Sequence, residues 1–368
     1  MNRNLRILAA AALVLTLGTS LAWGESWPVF RGNERRTGLA SAPSAAPSAV
    51  KGELVWRLQT GGAVSSSPAL WGNTLFVGSN DGSLYALDAE SGRVRWTFPT
   101  ENWVASSPCV SGGLVIFGSY DSRVYALDAA TGKLAWRFTT HKNVHSSPAV
   151  ADGLVFFGGV DGYVYGVDLK KGWQKWKFQA GREVYSSPAV ADGVVYVGNH
   201  DGKLYALDAQ KGTLLWRAVV GGPISGSPAV ADGMLYFGSW DGKVYAARVK
   251  HRAVVWRYAA GASVESSPVV SGGKLYVGDM AGQLHCLDAA TGNPLWVFKT
   301  HMGIPSSPAV AAGKVYFGSN DDALFCLDAA TGNLLWKAKV GGNVTGAPAL
   351  GDGAAFFGSL DGRIYKVR

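Results

Sequence analysis

Charge is scarce in this chain. Asp, Glu, Lys and Arg make up only 16% of its 368 residues, against 48% apolar residues. A disordered polymer needs the reverse balance, so a disordered chain is excluded. The basic residues are scattered rather than gathered in runs, and no nucleic-acid-binding motif is present. Cysteine is also scarce, with Cys109, Cys286 and Cys326 only. An odd count leaves at least one unpaired thiol in an exported protein. Cys286 and Cys326 stand one repeat apart, too far for a disulfide, and read as small buried hydrophobes. No C-x-x-C-H haem attachment occurs. Long apolar runs are missing except at the start, where Arg3 and Arg6 precede Ile7 to Leu17. That run is too short and Ala-rich for a membrane span. With the small residues after it, it reads as a signal peptide over 1–24, cleaved after Ala22 or Gly24. No Cys precedes Cys109, so no lipid-attachment site lies near the cleavage point. The expectation is an exported, periplasmic or extracellular protein, monomeric, with no transmembrane span after cleavage. Removing Arg3 and Arg6 lowers the net charge from +8 to +6, a mild surplus.

Glycine and aromatics are abundant: 49 Gly, 14 Trp, 14 Tyr and 14 Phe. Aromatics favour strands and glycines favour tight turns, which points to an all-β fold. Position then settles the architecture. Trp recurs at 56, 96, 136, 176, 216, 256, 296 and 336, and Pro68 and Gly78 open series with the same 40-residue step. An unbroken period near 40 with several short strands is a propeller signature. In one unit, Val144 to Ala151 reads as the innermost strand and Asp152-Gly153 as a hairpin turn. Leu154 to Gly158 reads as a buried second strand, Tyr163 to Asp168 as an alternating third, and Trp173 to Phe178 as the outermost. The Ser-Ser-Pro of the first strand suits the crowded axis. The outer Trp fills the widening wedge between units. Seven complete units run from Val64 to about Val340, and Val344 to Arg368 supplies only three strands. The missing outer strand is Glu53 to Leu58 at the other end. The reading is an eight-bladed β-propeller over 51–368, closed by its N-terminal strand, preceded by a lead-in and Ala/Pro/Ser linker over 25–50.

The segment Ala126-Leu127-Asp128-Ala129-Ala130-Thr131-Gly132-Lys133-Leu134-Ala135-Trp136 resembles the tryptophan-docking motif of the pyrroloquinoline quinone (PQQ) repeat family, A-x-D-x-x-T-G-x-x-x-W. Ala86 to Trp96 departs only in Ser91, and Cys326 to Trp336 only in its first residue. Blade 5 departs most, with Arg248 for Asp and His251-Arg252 for Thr-Gly. The resemblance covers residues 52–368 and implies Trp56, Trp96, Trp136, Trp176, Trp216, Trp256, Trp296 and Trp336 as structural docking residues. It also implies two functional classes. Some relatives are PQQ- and Ca²⁺-dependent dehydrogenases. Others are BamB-like assembly scaffolds of the outer membrane that bind no PQQ.

The residues favour the second class. The family's quinone stacks on a vicinal Cys pair, which is missing here, and the 40-residue step leaves no insertion to build a pocket. Asp recurs at 81, 121, 161, 201, 241, 321 and 361, so it serves every blade, as a turn former. Function belongs where the repeats disagree: the linkers between blades, the loops after the second strands, and the residue before each Ser-Ser-Pro. By strand alternation all three sets lie at one end. They nominate Trp103, Tyr120, His141, His145, Arg182, Tyr185, His200, Trp240, Glu265 and His301 as a binding face, since exposed aromatics and Arg make interaction hot spots. His141 and His301 lie four blades apart, too distant to share a metal ion. The expectation is a non-catalytic propeller that binds protein partners, with no cofactor, metal or nucleic acid. The alternatives are a PQQ dehydrogenase, and a propeller that binds a small molecule or glycan in its axial funnel.

Overall fold

The structure, a computed structural model, describes residues 32–33, 51–351 and 353–368. The segment read as a signal peptide and nearly all of the lead-in lie outside them. Every regular element described is a strand, and the strands form eight four-stranded antiparallel sheets. Each sheet is one blade. In the third, Ala149–Ala151, Leu154–Gly158, Tyr163–Asp168 and Gln174–Gln179 follow one another in sequence and in space. Asp152 and Gly153 both have positive φ, 49° and 75°, as a tight Asp-Gly hairpin requires. The eighth blade closes as its sequence implies: Leu54–Gln59 pairs with Arg363–Val367.

Two details differ from the sequence reading. The innermost strand is only three residues long and begins after the proline. Pro148 has no N–H, and the Ser-Ser segment leaves the strand ladder: Ser146 Oγ accepts the Gly158 N–H of its own blade at 3.1 Å, and further bonds reach the neighbouring blades. The Ser147 N–H donates to Ser187 Oγ at 2.8 Å, and Ser66 Oγ donates to the Ser106 carbonyl at 3.1 Å. The same N–H to hydroxyl bond runs from Ser67 round to Ser307, and the Ala347 N–H donates to Ser67 Oγ. The serines thus belt the ring together across its closure, which sequence spacing alone does not reveal. The third strand, expected to alternate, is buried on both faces from Val164 to Val167, because neighbouring blades cover both sides.

The core lies between blades. Phe156, Val164 and Trp176 of blade 3 pack with Val195, Val197, Tyr205 and Leu207 of blade 4. Trp136 Nε1 donates to the Leu169 carbonyl of the next blade at 2.8 Å. Its ring lies so close to Gly172 that a Cβ there would come within 2.7 Å of it. Trp176 repeats this against Ala209 and Gly212. In blade 5 the glycine position is Arg252, which adopts φ 55°. The three cysteines are buried thiols. Burial pushes the Cys286 and Cys326 thiols up to about 12, in keeping with small apolar side chains.

Candidate functional site

The linkers between blades and the loops after the second strands meet through backbone bonds. The Tyr120 N–H donates to the Trp103 carbonyl at 2.9 Å, His200 to Glu183 at 3.0 Å, and Trp240 to Pro223 at 2.9 Å. The repeated Asp locks this corner. Asp121 Oδ1 accepts the Arg123 N–H, while Oδ2 accepts the Tyr125 hydroxyl at 2.7 Å and the Glu101 N–H of the incoming linker. The residue is therefore a turn former and also a clasp on the preceding blade's exit. Tyr85, held the same way by Asp81, is pushed up to about 12 by burial and then by the carboxylate beside it.

Above these rigid corners six aromatic rings make contact in series across blades 2 to 5. Ring centroids are 5.7 Å apart for Trp103 and Tyr120, 6.0 Å for Tyr120 and His145, and 5.3 Å for His145 and Tyr185. Tyr185 stacks on His200 at 4.5 Å, and His200 meets Trp240 at 5.3 Å. The Trp240 indole is anchored by its Nε1, which donates to Ser225 Oγ at 2.8 Å. Strand alternation places these side chains at one mouth of the ring, and their contact comes from the close approach of neighbouring blades near the axis.

Two cavities open there. One, of about 270 Å³, runs down the axis and is lined by the ring of serines with His145, Tyr185, Glu265, Pro305 and Thr345. The other, of about 390 Å³, lies beside it among His145, Tyr185, His200, Ser225, Trp240, Glu265 and Pro305. Burial drives the His145 imidazole down to about 4, with His200 adding to the effect. His200 is lowered as well, chiefly by burial. His145 Nδ1 and His200 Nε2 are shielded from solvent and have no hydrogen-bond partner. Burial raises the Glu265 carboxyl, which remains the only acidic group lining either cavity.

Seven of the ten nominated residues therefore gather: the six rings and Glu265. Three do not. His141 and His301 are exposed at the rim, where only their backbone N–H groups are held, by Asp161 and Asp321. Arg182 is exposed and lies 3.5 Å from Asp201.

Sequence reasoning missed two polar clusters. In blade 6, His285 stands where six other blades carry Tyr, and Ala281 replaces the clasp Asp. Asp279 takes over, accepting the Ala281 and Gln283 N–H groups and the His285 Nε2–H at 3.0 Å, with the Tyr258 hydroxyl 3.2 Å from Nδ1. At the closure, Lys366 is buried at a position held by Ala in four blades and by Gly or Cys in the other three, and it bonds Glu90 of blade 1, which also accepts from Arg368 at 2.8 Å. Aligning the repeats exposes each odd residue, but not its partner.

The quinone PQQ carries carboxylates, which call for cationic donors, yet neither cavity is lined by Lys or Arg and the one charge present is a carboxylate. Among the described residues no three His, Cys, Asp or Glu side chains converge to hold a metal ion.

A family model described as outer membrane protein assembly factor BamB matches residues 45–179, 118–222, 160–297 and 280–368, which together span the propeller. The chain belongs to this PQQ-like repeat family. Among curated proteins none matches the sequence. Similar solved structures include BamB from Moraxella catarrhalis, at 18% identity and TM-score 0.75, over 86% of this chain and 99% of that one. The quinohemoprotein alcohol dehydrogenase from Comamonas testosteroni superimposes at 15% identity and TM-score 0.81, over 93% of this chain and 80% of that one. A europium-containing methanol dehydrogenase does so at 16% identity and TM-score 0.79, over 92% and 91%. At such identities these likenesses establish the shared fold alone. No helix among the described residues is long and apolar enough to cross a membrane.

Proposed function

We propose that this protein is an exported, non-catalytic binding platform of the BamB-like kind, working through the aromatic mouth. The observation that carries the reading is the unbroken contact of six rings over blades 2 to 5, on one end of an otherwise regular ring. Trp103 and Trp240 are half-exposed, and rigid aromatic surface of this kind supplies binding energy at little entropic cost. The alternative, a PQQ dehydrogenase, is disfavoured by the uncompensated carboxylate in the cavities. The signal-like first 24 residues support export, and the family's description supports a partner in envelope assembly.

The test uses a photoreactive residue placed at position 103 or 120, or at 250 on the opposite end, in intact cells. Discrete cross-links from the mouth positions and none from 250 are expected. Equal yields from both ends would remove the mouth as the working surface. Saturable PQQ binding with Ca²⁺, followed by substrate-dependent dye reduction, would make the protein an enzyme.

A further inference from the structure

We infer that the cavity beside the axis takes an organic cation, an ammonium or guanidinium group, held between Glu265 and the rings of Tyr185 and Trp240. This rests on the mouth being the working surface and names the chemistry it selects.

The argument begins with charge. Glu265 is the only acidic group among the seven residues lining the cavity, and no Lys or Arg stands beside it. It forms no ion pair among the described residues, whereas Asp121, Asp201, Asp241 and Asp361 at the same end each lie within 4 Å of a cation. The two histidines do not compensate it, because burial holds both imidazoles in the neutral form near pH 7. Burial raises the Glu265 carboxyl although Ser263 beside it works the other way, and a partly buried carboxylate without a counter-ion is relieved when a cation arrives.

The walls favour the same ligand class. Tyr185 and Trp240 present π systems, whose negative faces attract a desolvated cation. Pro305 adds apolar surface suited to the carbon body of an amine. A volume of about 390 Å³ admits an amine of arginine or benzamidine size. An anion meets a carboxylate and no donor cation, so anions are rejected by the same wall that attracts amines.

Isothermal titration of the full exported chain with benzamidine, and with its neutral isostere benzamide, tests the charge class directly. Benzamidine is expected to bind at least ten-fold more tightly, and Glu265→Gln is expected to erase that preference. Equal binding of the two probes to the wild-type protein overturns the inference without any variant having to fold. So does a preference that survives in Glu265→Gln. If the probes fail while mouth cross-links form, the cation inference falls and the platform stands. If the cross-links fail too, both fall. Comparison of tetramethylammonium with N-acetylarginine methylamide then separates the sources. Comparable affinities support a free organic cation, and a ten-fold preference for the arginine amide supports a basic side chain on a protein partner.

Discussion

At the scale of single residues, His145 shows how position within the repeat sets chemistry. It occupies the slot before Ser146-Ser147-Pro148, which other blades fill with Ser, Ala, Tyr, Glu, Pro or Thr. The convergence of blades there encloses the ring, and Nδ1 is shielded although one edge of the residue still reaches the cavity. The folded imidazole protonates only near 4, against 6.5 when unfolded, so between these values the unfolded chain binds more protons. Stability is therefore fully present above pH 6.5 and falls as pH drops towards 4, by at most about 3 kcal/mol. His145→Gln should flatten that part of the profile, read by urea denaturation at stepped pH. An unchanged slope would mean that the ring is better solvated than its surroundings imply. The sequence marked His145 as variable, but only the neighbouring rings of Tyr120 and Tyr185 shield its imidazole.

At the scale of one element, the corner between the second and third strands is a small device copied round the ring. Ser79, Asp81 and Tyr85 form it in blade 1: Ser79 Oγ accepts the Asp81 N–H, and Asp81 accepts the Tyr85 hydroxyl and the Gly61 N–H. Blade 6 reaches the same end with Asp279, Ala281 and His285, moving the carboxylate two residues earlier. Asp279 and His285 are both buried, so each depends on the other. Asp279→Ser alone should cost about 3 kcal/mol, since it strands a buried imidazole. Adding Ala281→Asp and His285→Tyr rebuilds the pattern of blade 1 and should recover most of the loss, measured as a rise in the denaturation midpoint. A triple variant no better than the single would show that blade 6 needs its own arrangement. The repeat register discloses both substitutions. That they compensate one another depends on a side-chain reach of under 3.5 Å, which spacing along the chain does not encode.

At the scale of the whole molecule, the ring must join its two ends. Strand pairing does most of this, with the Glu53 and Arg368 backbones exchanging hydrogen bonds at the junction. The Trp56 indole donates forward to the Ala89 carbonyl of blade 1, as Trp136, Trp176 and Trp256 do to the blades after theirs. Lys366 then adds a charge found at this position in no other blade. Its side chain is 1% exposed while that of Glu90 is 60% exposed, so the buried ammonium relies on a carboxylate that solvent partly screens. Glu90→Ala should cost about 2 kcal/mol by leaving that ammonium unpaired. Lys366→Ala in the same chain should return most of it, because Ala is the residue that blades 1, 2, 4 and 5 carry there. Thermal unfolding of the three variants checks this, and additive losses would overturn it.

The sequence by itself determined the number of blades, their strand order and the closure, because a 40-residue period with fixed Trp, Pro and Gly positions admits few ways to bury its apolar faces. It also determined which positions are free to vary, since whatever the ring needs in every blade is repeated in every blade. Tertiary structure alone decided which variable residues meet. Trp103 and Trp240 lie 137 positions apart in sequence and are linked through four intervening rings only because successive blades stand side by side round one axis. His141, Arg182 and His301 come from the same end yet stay at the rim, since each lies at the start of a linker, just after an outermost strand and before the chain reaches the axis. Contact across blades depends on that radial position, which the chain acquires only once the ring has closed.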